Sequence, residues 1–482
     1  MLASFATESP LTGLGAGGFM LVHTESEDVL LDFFVEAPGR ARAERGSELI
    51  PVPVYFASDA PQVFHVGAAS CGVPGTAAGL AEAVRRFGSM PLAELVRPAV
   101  SYARDGVRVT TQQAFIFRIL EPILTAEPQG REIYAPAGHR LAEGDVFRSE
   151  ELAEALERFG AEGAEPFYRG EIAAAIADWV LERGGTLSAE DLAAYAPIER
   201  VPVRGRYRGR DVLTNPPPSS GGILIAFALD LLDRIGSSGP EELVAAMEAA
   251  QEERTEQFLD ELNSDRFAER FLAPERLAAA AERVRARLRG YRGEVPGDRL
   301  GSTTHITAID RWGSCASVTC SNGTGSGLIV PGTGVHVNNM LGEEDLNPYG
   351  FHRHPPGRRL PSMMSPTVIL GPEGIEAGLG SGGSNRIRSA VVQAILRMLD
   401  DRLDAQAAVD APRLHYEAGS VQAEPGIDEQ ALRPLEARGY AVVRWEERNL
   451  FFGGVHAVSR DPLTGELRGG GDPRRGGASV VL

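Results

Sequence analysis

The alternation of apolar and polar residues changes character near residue 300. Before it, apolar positions recur at helical spacing in GTAAGLAEAVRRFG (75–88), LAELVRPAVSYARDG (92–106) and EIAAAIADWVLERGG (171–185), which predicts amphipathic helices. In SAEDLAAY (188–195), Ser188 and Asp191 stand three apart ahead of an apolar run, the spacing of a capping box. From Glu241 to Arg289 charges of both signs alternate at helical spacing, so helices with a solvated face are expected there, without chemistry. After Thr303 the period drops to two in HITAID, SCASVTCS, GVHVNNM, PTVIL and IEAGLG, each a predicted strand, with a helix following Asn385. Between the two regimes, GYRGEVPGDRLGS (290–302) mixes glycine, proline and charge, the composition of an exposed linker. The chain thus reads as a mostly helical region with core strands, 1–302, followed by a strand-rich region, 303–482.

Composition narrows the partners. The 482 residues carry a formal charge of −18, which disfavours nucleic acid and anionic lipid, since both need a basic field. A small-molecule or peptide partner is expected instead. Cys71, Cys315 and Cys320 are too few for a disulfide framework and lack metal-ligand spacing, so core packing is their expected role. His352 and His354 have no flanking thiol or carboxylate cluster, and neither a metal nor another cofactor is expected. The opening MLASFATESPLTG has no basic stretch leading into an apolar one, and no run approaches the ~20 apolar residues of a membrane span. The expected location is cytoplasmic.

The stretch GDRLGSTTHITAID (297–310) carries the candidate chemistry. DRWG (310–313) is a tight corner between two alternating runs, so 303–309 and 314–321 should form an antiparallel hairpin. If Asp310 faces Gly313, Thr303 lies opposite Cys320 or, with a one-residue bulge, Ser321. Cross-strand Cβ atoms are roughly 5 Å apart, so the second register sets one hydroxyl beside another. That is either a plain hydroxyl pair in a sheet or a nucleophile with its hydrogen-bonding partner. As an internal residue Thr303 has no obvious base. Were the chain cut between Ser302 and Thr303, a freed α-amino group with a pKa of roughly 7.7–8.0 would sit on the same residue as the hydroxyl it deprotonates. Gly301, Ser302 and the linker before them favour such a cut, because the peptide must bend for the hydroxyl to reach its own preceding carbonyl.

TTHITAID, SVTCSNGTGSG, VNNMLGEEDLNP, RRLPSMMSPTVIL and GSGGSNRI, in that order, resemble the small subunit of the γ-glutamyltransferase family. Upstream, GLGAGGFML, VPGTAAG, FGSMPLAELVRPAVSYARDG, LSAEDLAAY and PPPSSGG are similar to its large subunit. The resemblance spans nearly the whole chain. It implies an α+β fold of the N-terminal-nucleophile hydrolase type, a four-layer αββα sandwich self-cleaved into two chains that stay together as a heterodimer, with higher oligomers left open. It also implies Thr303 as nucleophile, Ser321 as the hydroxyl bonding to the nucleophile's amine, and Gly382 and Gly383 as the oxyanion-binding pair. Activity on γ-glutamyl amides such as glutathione, by hydrolysis or transfer, follows as the expected function.

The substrate pocket departs from the family pattern. Phe34, in LLDFFVEAPG, stands where the family carries an arginine that grips the substrate's α-carboxylate. Asn339 matches the family's asparagine, Met340 replaces a polar residue, and Glu343 is the expected carboxylate for the substrate's amino group. Ser362 is kept and Met363 replaces a second serine. Arg353, Arg358 and Arg359 in FHRHPPGRR are candidates to supply the missing charge, while Ser219, Ser220 and His305 are expected to be structural. Two other readings stay open. One is a non-catalytic or substrate-divergent member, acylase-like on a non-glutamyl amide; its start also falls only a few residues before GLGAGGFML, where the family usually has a helix. The other is dinucleotide binding through GLGSGG (378–383), which satisfies a G-x-G-x-x-G spacing ahead of a helix.

Overall fold

The computed structural model describes residues 1–42, 44, 46–55, 61–289 and 303–482. The predicted linker, Gly301 and Ser302 lie outside the described residues. Two antiparallel sheets form the centre. The first uses β1 (Gly17–His23), β2 (Asp28–Phe33) and β3 (Ile198–Arg200) with β6 (Thr304–Ile309) and β7 (Cys315–Ser321), in the order β6-β7-β1-β2-β3. The second uses β4 (Val203–Tyr207) and β5 (Arg210–Thr214) with β8 (Thr367–Gly371), β9 (Gly374–Gly382), β10 (Gly454–Arg460) and β11 (Leu467–Gly470), in the order β11-β10-β9-β8-β5-β4. Each sheet therefore draws strands from both sides of residue 302.

The sheets lie face to face through β6, β7, β9 and β10. Helix α1 (Thr76–Phe87) covers the first sheet from outside, and α2 (Ser220–Ile235) and α5 (Arg386–Leu399) cover the second, which completes the four layers αββα. Strand β9 is buried on both faces over most of its length, and its glycines permit the close approach. A Cβ at Gly378 would lie 2.7 Å from Cys315 Sγ, and one at Gly380 would lie 2.2 Å from His305 Cε1. The dinucleotide reading of GLGSGG fails on this geometry. Most of the motif lies inside a strand whose neighbours β8 and β10 are both antiparallel, where a dinucleotide fingerprint needs a turn leading out of a parallel strand.

The hairpin forms one register away from the simplest expectation. Thr304 pairs with Cys320 and His305 with Thr319, which places Thr303 opposite Ser321 and not Cys320. The reason is a three-residue turn: Asp310 N–H donates to the Ser314 carbonyl at 2.9 Å, and Gly313 takes a φ of +92°, in the region glycine tolerates. The capping box at Ser188 and Asp191 is present at the start of the helix Ala189–Ala194. A second expectation needs correction. Helices α3 (Pro240–Glu252) and α4 (Pro274–Arg287) are not merely solvated, because Glu248 is fully buried. Its carboxylate accepts from Tyr416 Oη at 2.9 Å and Tyr440 Oη at 2.7 Å, and pairs with Arg287 at 3.1 Å. All three cysteines are free and buried, and burial pushes the Cys71 and Cys315 thiols up to about 12. Among the described residues no helix is long and apolar enough to cross a membrane.

Candidate active site

Thr303 sits immediately before the edge strand β6, and Ser321 ends its partner β7. Their hydroxyls are 3.5 Å apart, with Thr303 Oγ1 donating to Ser321 Oγ, which also accepts from the Gly323 N–H at 3.0 Å. Gly382 ends β9 directly behind them. A Cβ there would lie 2.1 Å from the Thr303 carbonyl oxygen, so no other residue fits. Gly383 turns the chain at φ +128°, and α5 begins three residues later, its N-terminal end adding a partial positive field. His305 is held between Thr319 Oγ1 at 2.8 Å and Thr307 Oγ1 at 2.7 Å. Burial lowers its pKa far below the ordinary value, so it stays neutral and occupied, the structural role expected of it.

A narrow cavity of about 370 Å³ opens in front of Thr303 and Ser321. Its apolar wall is Phe34, Met340, Leu346, Met363, Met364 and Ile387; its polar wall is Glu343, Asp345, Ser362 and Ser384. Seven residues picked out from the sequence, Phe34, Thr303, Ser321, Met340, Glu343, Ser362 and Met363, thus meet in one space. Gly382 and Gly383 adjoin it without lining it. Asn339 does not line it either. Its side chain braces the loop behind, accepting from the Thr324 N–H at 2.9 Å and donating to Thr324 Oγ1 at 3.0 Å.

Glu343 is 7% exposed, and Oε1 accepts from the Thr324 N–H at 3.3 Å. Burial, and secondarily the like charge of Asp345, push its carboxyl up to about 8. The carboxylate of Asp345 accepts from Ser384 Oγ and from Asn385 Nδ2 at 2.8 Å. Asp345 and Ser384 were not picked out from the sequence. Asp345 was visible as the third acid of GEED, whereas nothing local marks Ser384 as its partner.

Among the described residues no cationic side chain lines this cavity. Arg359 lies behind Phe34 and is committed there, and Arg254 donates to the Asp345 carbonyl. Arg359 donates to the carbonyls of Phe34, at 2.7 Å, and Ala196, lies 3.5 Å from both Asp32 and Glu36, and stacks over Tyr195 at 4.4 Å. Arg353 pairs with Glu256 at 2.6 Å away from the cavity, and Arg358 also stays outside it. Ser219 and Ser220 brace the opposite side by donating to the Ser362 carbonyl, at 2.8 and 3.3 Å. On its other flank Thr303 borders a larger cavity of about 1550 Å³, whose polar lining includes Glu8, Gln112, Arg448, His456 and Arg475. Among the described residues no group of three or more His, Cys, Asp or Glu is placed to hold a metal ion.

The family described as Gamma-glutamyltranspeptidase matches residues 1–482. The chain is 31% identical over 504 residues to the Acylase ACY 1 proenzyme of Pseudomonas sp. (strain SE83), covering all of this chain and 88% of that protein. It is 30% identical over 501 residues to the Glutathione hydrolase proenzyme of Escherichia coli (strain K12), covering 98% of this chain and 84% of that one. Among solved structures, cephalosporin acylase from Bacillus halodurans superposes with a TM-score of 0.82 at 26% identity, covering 99% of this chain and 89% of that chain.

Proposed function

Because the chain belongs to the gamma-glutamyltranspeptidase family, we propose that it is a self-processing amidohydrolase or acyltransferase whose nucleophile is Thr303, released by cleavage after Ser302. Its fold is the αββα sandwich of N-terminal-nucleophile hydrolases. In this reading the Thr303 hydroxyl attacks its own preceding carbonyl to make an ester, and water hydrolyses that ester to leave two polypeptides, Met1–Ser302 and Thr303–Leu482. Both sheets are shared between the two halves, so the products stay together as a heterodimer.

Turnover repeats this chemistry on a substrate amide. The free amino group of Thr303 takes the proton from Oγ1, and Oγ1 adds to the amide carbonyl. The resulting oxyanion faces the backbone at Gly382 and Gly383, where preorganised N–H donors are worth several kcal/mol. Collapse of the adduct expels the amine, which takes the proton back from the Thr303 amino group, and leaves an acyl ester on Thr303. Water or a second amine then releases the acyl group. Ser321 orients the nucleophile throughout. The acyl chain occupies the 370 Å³ cavity and the departing amine the larger cavity on the other flank.

The observation that carries this reading is the Thr303–Ser321 pair at the mouth of a cavity that holds every recognised pocket residue except Asn339. Phe34 and Met363, together with the commitment of Arg359, favour an acylase-like activity on an amide whose acyl group lacks an α-carboxylate. Retention of Glu343 and Ser362 favours the second reading, γ-glutamyl amides such as glutathione. Intact-mass measurement on the purified protein tests the first step: two polypeptides split at 302/303 are expected, and a single uncut chain without amidase activity overturns the proposal. Phe34→Arg then separates the readings, because γ-glutamyl amide turnover should rise in the variant; if wild type is already as active, Phe34 is no obstacle to that substrate.

A further inference from the structure

The charges around the smaller cavity define an acyl group more narrowly than its shape does. Among the described residues its only ionisable lining side chains are Glu343 and Asp345. The two differ in what they have left to accept. Both oxygens of Asp345 take hydrogen bonds, one from Ser384 and one from Asn385, whereas Glu343 is met by the Thr324 N–H on Oε1 and by the Asn339 side chain, and its Oε2 takes no further hydrogen bond among the described residues and is open to the cavity. In a carboxyl group only 7% exposed, that oxygen is an acceptor a ligand can meet by supplying the donor. Facing it are Phe34, stacked on Phe19 at 5.3 Å between ring centres, and the thioethers Met340 and Met363. These can touch methylene groups but cannot compensate a negative charge.

Resting on the reading of Thr303 as an acyl-transferring nucleophile, we infer that the acyl group is a short ω-aminoacyl chain, such as 4-aminobutyryl, carrying an ammonium group at Glu343 and no carboxylate. The ammonium brings three N–H donors to a site with an open acceptor beside a second carboxylate. An acid-terminated chain such as glutaryl would instead bring its carboxylate against the acidic pair Glu343 and Asp345, with no cationic side chain among the described residues lining the cavity to receive it. A γ-glutamyl group satisfies Glu343 but brings a carboxylate that Phe34 and Met363 do not receive. A plain alkyl chain suits the apolar wall and leaves Glu343 Oε2 unmet.

Four amides of one common alkylamine test this, with acyl groups 4-aminobutyryl, pentanoyl, glutaryl and γ-glutamyl, each followed by release of the same amine. The 4-aminobutyryl amide is expected to have the highest kcat/KM, about 10- to 100-fold above pentanoyl, with glutaryl the slowest. In Glu343→Gln the ratio of 4-aminobutyryl to pentanoyl should fall toward one. Intact mass of each preparation reports cleavage at 302/303 independently of substrate choice, so it also shows that a variant has folded. If the protein is cut but glutaryl, γ-glutamyl or pentanoyl matches 4-aminobutyryl, or if none of the four is turned over, the inference is wrong while the nucleophile assignment stands. An uncut and inactive chain overturns both.

Discussion

The two walls of the smaller cavity differ in how they are tied to the rest of the molecule. The wall bearing Thr303 and Ser321 is built from one hairpin and the end of β9, so its geometry follows from strand pairing and from a glycine that admits the Thr303 carbonyl. The facing wall is assembled from Phe34 at the end of β2, the loops carrying Met340 to Leu346 and Ser362 to Met364, and the ion-pair cluster of Arg359 behind them. In the proposed mechanism, reaction chemistry constrains the first wall residue by residue. The second has its backbone held from behind by Arg359, which donates to the Phe34 carbonyl and pairs with Asp32 and Glu36.

The contrast is sharpest under substitution. Removing the proposed nucleophile should have the largest effect: Thr303→Ala is expected to give one uncut polypeptide by intact mass and to lower amide turnover by roughly 10³-fold or more. Next, Arg359→Ala removes the buried cation shared by Asp32 and Glu36, which then keep only the more exposed Arg200 and Arg40, a loss of about 1.5–3 kcal/mol that a denaturant midpoint would show. If stability barely changes, the facing wall is not held from behind in the way described. Ser321→Ala removes one hydrogen-bonding partner and should cost about 10- to 100-fold in kcat with KM little changed, measured on the processed protein.

The smallest effect concerns pH. Glu343, raised to about 8 by burial and by Asp345, with Glu344 also nearby, keeps its proton in the folded protein where the unfolded chain would lose it. The stability this contributes is full below the unfolded pKa near 4.5 and is lost as pH rises through about 8. Glu343→Gln should therefore show a shallower fall in melting midpoint than wild type between those limits. An identical fall in both proteins would place the carboxylate in a wetter setting.

Legibility follows the same division. The pairing of Thr303 with Ser321 could be anticipated because side chains alternate along strands and a short turn fixes register to within one residue. The remaining ambiguity lay in the turn. The Asp310 carboxylate accepts from the N–H groups of Trp312 at 2.9 Å and Ser314 at 2.8 Å and stabilises one more loop residue than the tightest corner has. The four layers followed from family resemblance, not from periodicity alone. GLGSGG could not be resolved locally, since glycines spaced for a phosphate and glycines spaced for sheet contact look alike; only His305 and Cys315 across the sandwich decide between them. The burial of Glu248 within the charged region from Glu241 to Arg289 was not legible, because its tyrosine partners lie about 170 and 190 residues away along the chain. Asn339 was placed in the right loop, but whether a side chain faces the cavity or braces the loop depends on neighbours such as Thr324 and His65.

The sharing of both sheets across residue 302 has a consequence for reversibility. Strands β4 and β5 belong to the sequence before that point and pair into a sheet completed by strands after it. Once the bond before Thr303 is gone, the pieces keep their arrangement but no longer hold the instruction for reaching it, because loop closure has become a meeting of two separate molecules. Refolding after full denaturation should then depend on protein concentration in the cut form and not in an uncut Thr303→Ala chain. The native state of the cut protein would be a record of how the chain was first assembled.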